Sequence, residues 1–119
     1  MDHPTPDEEQ IGANLAKLDA PPFAGNRVWL TFYLSGPPEN LRLVAEALAN
    51  RGWSNTDGWE GAFLYPKVET DRTSAAIVDV AEATRGLCGP LKVEILNIDA
   101  DTSPDVQKSQ FVTLYRSDW

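Results

Sequence analysis

Few residues in this chain have side chains suited to chemistry. Among 119 residues there is one histidine, His3, and one cysteine, Cys88, set among 18 acidic and 10 basic residues. His3 lies at the N-terminus, where a general base would lack the fixed geometry that proton transfer requires. Cys88 stands in Gly86-Leu87-Cys88-Gly89-Pro90 with no histidine nearby to ionise it, and such a thiol is expected to pack as a small hydrophobe. Asp99, Asp101 and Asp105 begin like a calcium-binding loop. The pattern fails at its sixth place, where Pro104 stands instead of glycine, and at its twelfth, where Gln110 replaces glutamate. A solvated acidic loop is expected there. Asp57 and Glu60 flank an Asp57-Gly58 turn, a place where acids occur for conformational reasons. No glycine pattern of a phosphate-binding loop occurs. The residue inventory predicts a protein without catalytic residues, metal or cofactor.

What the chain has in quantity is negative charge and aromatic surface. The formal net charge is −8 and the pI is near 4.4. A surface of that sign repels phosphate backbones, so direct nucleic-acid binding is not expected, and it steers association with a basic partner. Trp29, Tyr33, Phe63 and Tyr65 can share one face of a sheet, with Trp53 and Trp59 near its end. Either helices or the N-terminal segment cover that face, or it is an exposed patch with aromatic anchors for a protein partner.

The elements that must position these groups follow from periodicity. Residues 1–18 read as a short helix: Thr5 can cap it, Pro6 suits the first helical position, and Glu8 completes a capping box. Asp7, Glu8 and Glu9 fall in its first turn, where the helix dipole favours anions. Ile11, Leu15 and Leu18 form an apolar stripe that either docks on the domain or faces a partner. Asp19 to Asn26, with Pro21, Pro22 and Gly25, is a linker. Arg27 to Ser35 alternates as a strand, with Val28, Leu30, Phe32 and Leu34 on the core side. Gly36-Pro37-Pro38 ends it and starts a helix carrying Leu41, Val44, Ala45 and Leu48, stopped at Gly52. Trp53 to Val68 reads as a hairpin around Asp57-Gly58, with Pro66 marking an edge or a strand end. Thr73 or Ser74 caps a second helix bearing Ile77, Val80, Ala81 and Thr84, with Gly86 as its stop. Leu91 to Ile98 is a strand whose apolar residues change phase, which predicts a bulge or burial on both faces. Phe111 to Tyr115 is a final strand.

That order predicts an α+β fold: a ferredoxin-like βαββαβ antiparallel sheet with an N-terminal helix and an extra C-terminal strand. The expected organisation is a helix and linker over 1–26 and a single domain over 27–119. The acidic N-terminus carries no apolar stretch of a secretory signal, no run is long enough to span a membrane, and a lone cysteine suits a reducing compartment. A cytoplasmic location is expected.

One stretch carries a family likeness. Phe32-Tyr33-Leu34-Ser35 is followed by Glu39-Asn40-Leu41, then Ala45-Glu46-Ala47-Leu48, and closes on Arg51-Gly52-Trp53. This strand, acidic helix start, alanine-rich helix and Gly-aromatic end resembles the ribonuclease E inhibitor B family, also called regulator of ribonuclease activity B. The second helix, Ile77 to Thr84, leading to a strand at Leu91, continues the likeness over residues 5 to 98. The family's Asp-Gly-Trp motif after the second helix is missing; Asp57-Gly58-Trp59 stands earlier, in the hairpin. Its long acidic C-terminal tail is also missing. The resemblance implies a bacterial, non-catalytic acidic protein that binds a basic region of an RNA-processing nuclease and inhibits it. The partner-binding residues expected on that reading are Asp7, Glu8, Glu9, Glu39 and Glu46, with Trp29 and Tyr33 as anchors. The same small acidic build would suit an immunity protein that neutralises a basic toxin. A small-molecule-sensing domain on the same scaffold would instead require a concave pocket with convergent polar groups beside Trp29 or Trp53.

Overall fold

The computed structural model describes residues 6–19, 23, 25–57, 59–103 and 110–118, the side chains of 6–8 and of Trp59 excepted. Its centre is strand β1 (Arg27–Ser35), in which Val28, Leu30, Phe32 and Leu34 are all buried on one face, as the alternation predicts. Helix α1 (Pro6–Asn14) and a 3-10 turn (Leu15–Asp19) precede it; α2 (Pro38–Asn50) follows. Then come β2 (Trp59–Glu60), β3 (Phe63–Leu64), β4 (Lys67–Asp71), α3 (Ser74–Cys88), β5 (Glu94–Asp101) and β6 (Phe111–Arg116). The six strands form one sheet in the order β2-β3-β1-β5-β6, with β4 also paired to β1, and every pairing is antiparallel. The result is a mixed helix and strand fold.

Strands β3 and β4 are two pieces of a single run along one edge of β1. Pro66 interrupts them, having no N–H to give the ladder, yet its carbonyl still accepts from Phe32 N at 3.0 Å. The hairpin expected around Asp57-Gly58 turns elsewhere. Its paired residues are Glu60 and Phe63, so the tight turn is Gly61-Ala62, with Gly61 at φ +63°. The first arm shrinks to a single bridge between Ser54 and Lys67.

One core joins these elements. The buried stripe of α2 (Leu41, Val44, Ala45, Leu48) and that of α3 (Ile77, Val78, Ala81, Thr84, Cys88) meet the apolar face of the sheet. The Thr73 hydroxyl caps α3 by accepting from Ala76 N at 3.2 Å. That helix runs through Gly86, the expected stop, and ends instead in a short 3-10 turn at Gly89–Leu91 closed by Lys92 at φ +56°. At the other end of β1, Gly36 sits where a Cβ would lie 3.0 Å from Val93 Cγ2 and 3.1 Å from Lys92 O. A side chain there would press on both neighbours, which would have to give by a few tenths of an ångström.

The N-terminal helix docks on the domain. Ile11 and Leu18 are buried in the same core. Gln10 donates from Nε2 to Arg116 O at 3.1 Å and accepts from Arg116 N at 3.0 Å, while Asn14 Nδ2 donates to Leu114 O at 3.2 Å. These amides occupy backbone groups that β6, as an edge strand, would otherwise offer to another chain. Arg72 ties down the segment that follows, donating to the carbonyls of Leu18 and Gly25. Thr5, the expected cap of α1, lies outside the described residues, and Glu8 has no described side chain.

Candidate functional site

The phase change in β5 decides which side chains meet on the outer face of the sheet. Against β1, Tyr33 pairs with Asn97 and Leu34 with Ile95, so Leu96 is the bulged residue. Without that extra residue Ile95, Asn97, Asp99 and Asp101 would share one face, because side chains alternate with period two. The bulge sends Ile95 to the core with Ile98 and Ala100 and turns Asn97, Asp99 and Asp101 the other way. A second bulge, at Leu114 against Ile98 and Asp99, keeps β6 in step. The predicted bulge is therefore present, and it builds the site.

Two cross-strand rows result. The first runs Glu69, Trp29, Asp101, Phe111; the second runs Lys67, Thr31, Asp99, Thr113. Lys67 Nζ donates to Thr31 Oγ1 at 2.6 Å, Thr31 Oγ1 donates to Asp101 Oδ2, and the Lys67 ammonium lies 3.6 Å from that same oxygen. Asp99 Oδ1 accepts from Asn97 Nδ2 at 2.5 Å and from Thr113 Oγ1 at 2.9 Å. Lys67 is 5% exposed, Asp101 4% and Asp99 3%, so three ionisable side chains are withdrawn from water on a face that α2 and α3 do not cover. Burial on that scale is tolerated only when charges are paired and hydrogen-bonded. Among the described residues no buried side-chain nitrogen or oxygen lacks a partner.

Above this network lies a hollow of about 360 Å³, lined by Thr31, Tyr33, Asn55, Tyr65, Lys67, Asp101 and Phe111. The rings of Tyr33 and Tyr65 meet edge to face with centroids 5.3 Å apart. Burial, and then the charge of Asp99, with which it hydrogen-bonds, hold the Tyr33 hydroxyl well above the ordinary tyrosine range. Tyr65 is shifted the same way, by burial and then by Glu60. Asn55 Nδ2 donates to the Tyr65 carbonyl at 2.7 Å, fixing the amide at the hollow's edge. Phe111 remains 61% exposed. A smaller hollow of about 200 Å³ shares Asp101 with this one and has Trp29, Arg27 and Glu69 in its wall. There Arg27 pairs with Glu69 at 3.2 Å and Asp71 at 2.7 Å in open solvent.

The expected site residues divide between two sides of the molecule. Trp29 and Tyr33 are half-buried on the outer sheet face, with Tyr65, as the alternation predicts. Glu39 and Glu46 are exposed on α2, the helix packed against the opposite face of the sheet from those rings, and Glu9 is exposed on α1. The side chains of Asp7 and Glu8 lie outside those described. Trp53 belongs to the core side, its ring edge-on to Phe32 at 5.3 Å.

The solvated acidic loop expected at Asp99 and Asp101 is corrected by the structure. Both are buried residues of β5, which runs three residues past the expected end at Ile98 and closes on Asp101; Asp105 lies outside the described residues. Lys67, Thr31, Asn55 and Phe111 escaped sequence reasoning. The signal for Thr31 was a hydroxyl between two aromatic residues of an apolar strand, and for the acids their spacing of two beyond Ile98. Among the described residues no group of three His, Cys, Asp or Glu could hold a metal ion. Cys88 is buried, and burial pushes its thiol up to about 11, leaving it protonated and unreactive at neutral pH. Compared with known proteins, the chain matches no family model, no curated protein and no solved structure.

Proposed function

We propose that this protein is a non-catalytic, cytoplasmic binding protein that captures a basic, RNA-processing nuclease and inhibits it, as the resemblance to the ribonuclease E inhibitor B family implies. The observation that carries a binding role is the hollow on the outer sheet face. Aromatic rings and hydrogen-bond acceptors surround buried carboxylates there, an arrangement that offers contact area and negative charge at one place. The exposed acids Glu9, Glu39 and Glu46 add long-range attraction for the same kind of partner. A ferredoxin-like arrangement is part of this proposal. In its favour, the run formed by β3 and β4 lies between β2 and β1, β5 flanks β1 on the other side, and α2 and α3 pack on one face.

The test is a titration of the whole protein against the arginine-rich noncatalytic region of ribonuclease E at two salt concentrations, with RNA cleavage followed in parallel. Saturable binding that weakens with salt and slows cleavage is expected. Absence of binding at micromolar concentration would refute the proposal.

A second reading, small-molecule sensing, is favoured by the size of the hollow and by the few polar side chains, Thr31, Asn55, Lys67 and Asp101, in its otherwise apolar lining; its volume of about 360 Å³ sits at the lower end of the range of ligand pockets, about 300–1,000 Å³. Thermal stabilisation by a small ligand in the absence of any macromolecule would favour it.

A further inference from the structure

The direction of the backbone hydrogen-bonding groups along β6 decides what its outer edge can take. Gln110 turns both of its groups toward β5: its carbonyl accepts from Thr102 N at 3.1 Å and its N–H donates to Thr102 Oγ1 at 3.0 Å. Such groups alternate along an antiparallel ladder. Val112, opposite Ala100, therefore also points inward, and Phe111 and Thr113 point away from the sheet. The bulge at Leu114 resets this phase. Beyond it Ser117 N donates inward to Leu96 O at 2.9 Å, and Leu114 O and both groups of Arg116 face outward, where Asn14 and Gln10 take them. A carboxamide carries the N–H and C=O of a peptide group, so Gln10 pairs with Arg116 as a residue of a neighbouring strand would. One half of the outer edge is thus filled by strand-like groups. In the other half, no described residue hydrogen-bonds the outward N–H and C=O groups of Phe111 and Thr113.

The two edges of the sheet are guarded differently. Lys67 exchanges both backbone bonds with Ser54 at 2.8 Å, so the outward positions that follow on β4 are Glu69 and Asp71, exposed acids paired with Arg27. Charges of that kind keep other chains off an edge. Phe111, Val112 and Thr113 carry no charge, and Phe111 is 61% exposed. Donors and acceptors that recur about every 7 Å along an uncharged edge are matched by another extended backbone. Net charge opposes a second copy of this chain as its source, since each copy carries −8 and the two repel.

We infer that Phe111–Thr113 receives an extended segment of a protein partner as an added strand, its backbone on the outward groups of Phe111 and Thr113 and one apolar side chain beside Phe111. The inference rests on the proposed role in binding a protein, and not on that protein being a nuclease. Phe111 also lines the larger hollow, so the added strand runs along the rim of the proposed site. Its reach ends at Leu114, where the amides of α1 occupy the edge.

The experiment is a nuclear magnetic resonance titration of the full chain with the peptide acetyl-Thr-Val-Thr-Val-Thr-amide and with a counterpart in which every amide N–H is replaced by N-methyl. Saturable shifts are expected with the first, centred on Phe111, Val112 and Thr113. The methylated peptide has no amide N–H to donate and should bind about tenfold more weakly or not at all. Thr113→Pro removes an outward N–H without breaking a bond to β5 and should abolish the shifts. If that variant does not fold, Gln10→Ala answers instead: it opens Arg116 to the same strand, and binding should tighten about threefold or more. Equal binding of the methylated peptide, shifts centred elsewhere, no shift with millimolar peptide, or a folded variant that binds as the parent does would overturn the assignment. Dimerisation of the parent through the same residues in sedimentation velocity would also overturn it, because the occupant would then be a second copy. The arginine-rich region of ribonuclease E, titrated with and without saturating peptide, separates the two proposals. If it binds equally in both, the inhibitor reading stands and the edge site falls. If the peptide occupies the edge but that region does not bind, the nuclease reading falls and the edge site stands.

Discussion

Replacing Lys67 with methionine tests the buried network directly. The Lys67 ammonium lies 3.6 Å from Asp101 Oδ2 with both side chains shielded from water. At that separation and an effective dielectric constant of about 20, the attraction is about 5 kcal/mol. Desolvation offsets much of this in the intact protein, so the pair itself adds little net stability. The single substitution is different. Lys67→Met removes the ammonium beside the buried carboxylates of Asp101 and Asp99, and breaking a buried pair in that way costs about 3–5 kcal/mol. Against a total stability of about 5–15 kcal/mol for a domain, that is a large share. Urea denaturation followed by tryptophan fluorescence measures it, as a drop in the midpoint at unchanged slope. Asp101→Asn should be similarly costly, because it strands the ammonium. The double variant Lys67→Met with Asp101→Asn should cost about 2 kcal/mol less than the two single losses added together, since the second change removes the charge the first exposed. A single-variant cost below about 1 kcal/mol, with strictly additive behaviour in the double variant, would refute the reasoning, because it would mean that the two charges are solvated and independent.

Three further predictions follow from other parts of the molecule. Tyr33 is held protonated in the folded state above its ordinary value of 10.0. Its contribution is therefore complete below pH 10 and is lost as pH rises through the higher folded-state value; across that window the parent should lose up to about 1 kcal/mol per pH unit more than Tyr33→Phe in unfolding free energy. Gly36→Ala places a methyl group 3.0–3.1 Å from Val93 and the Lys92 carbonyl, and thermal unfolding should register a loss of about 1–3 kcal/mol because backbone must give way. Gln10→Ala removes both side-chain bonds to Arg116 and should cost about 1 kcal/mol. The freed edge of β6 should also raise concentration-dependent association in sedimentation velocity, and a strictly monomeric, equally stable variant would contradict the edge-capping role.

The local elements of this protein were determined by its sequence, and the reason is local too. The alternation of Val28, Leu30, Phe32 and Leu34, the helical spacing of Leu41 to Leu48, the Pro37-Pro38 start of α2 and the Thr73 cap of α3 act within a few residues, and each is found where periodicity puts it. The phase change in β5 was legible as a bulge, although its consequence was not. Tertiary structure decided the site. Asp99 and Asp101 read as loop acids because nothing adjacent in sequence tells an aspartate that a lysine 32 or 34 positions away will be drawn to its side through β1. The hairpin turned at Gly61-Ala62 because pairing of β2 with β3 and of β3 with β1 set the register, outweighing the turn preference of Asp57-Gly58. Gly86 stayed helical because the stripe from Ile77 to Cys88 had core to cover on both sides of it. The acids of α2 and the rings of Trp29 and Tyr33 are all surface-forming by composition, yet a sheet lies between them, and which side of a sheet a helix occupies is settled only when the chain packs.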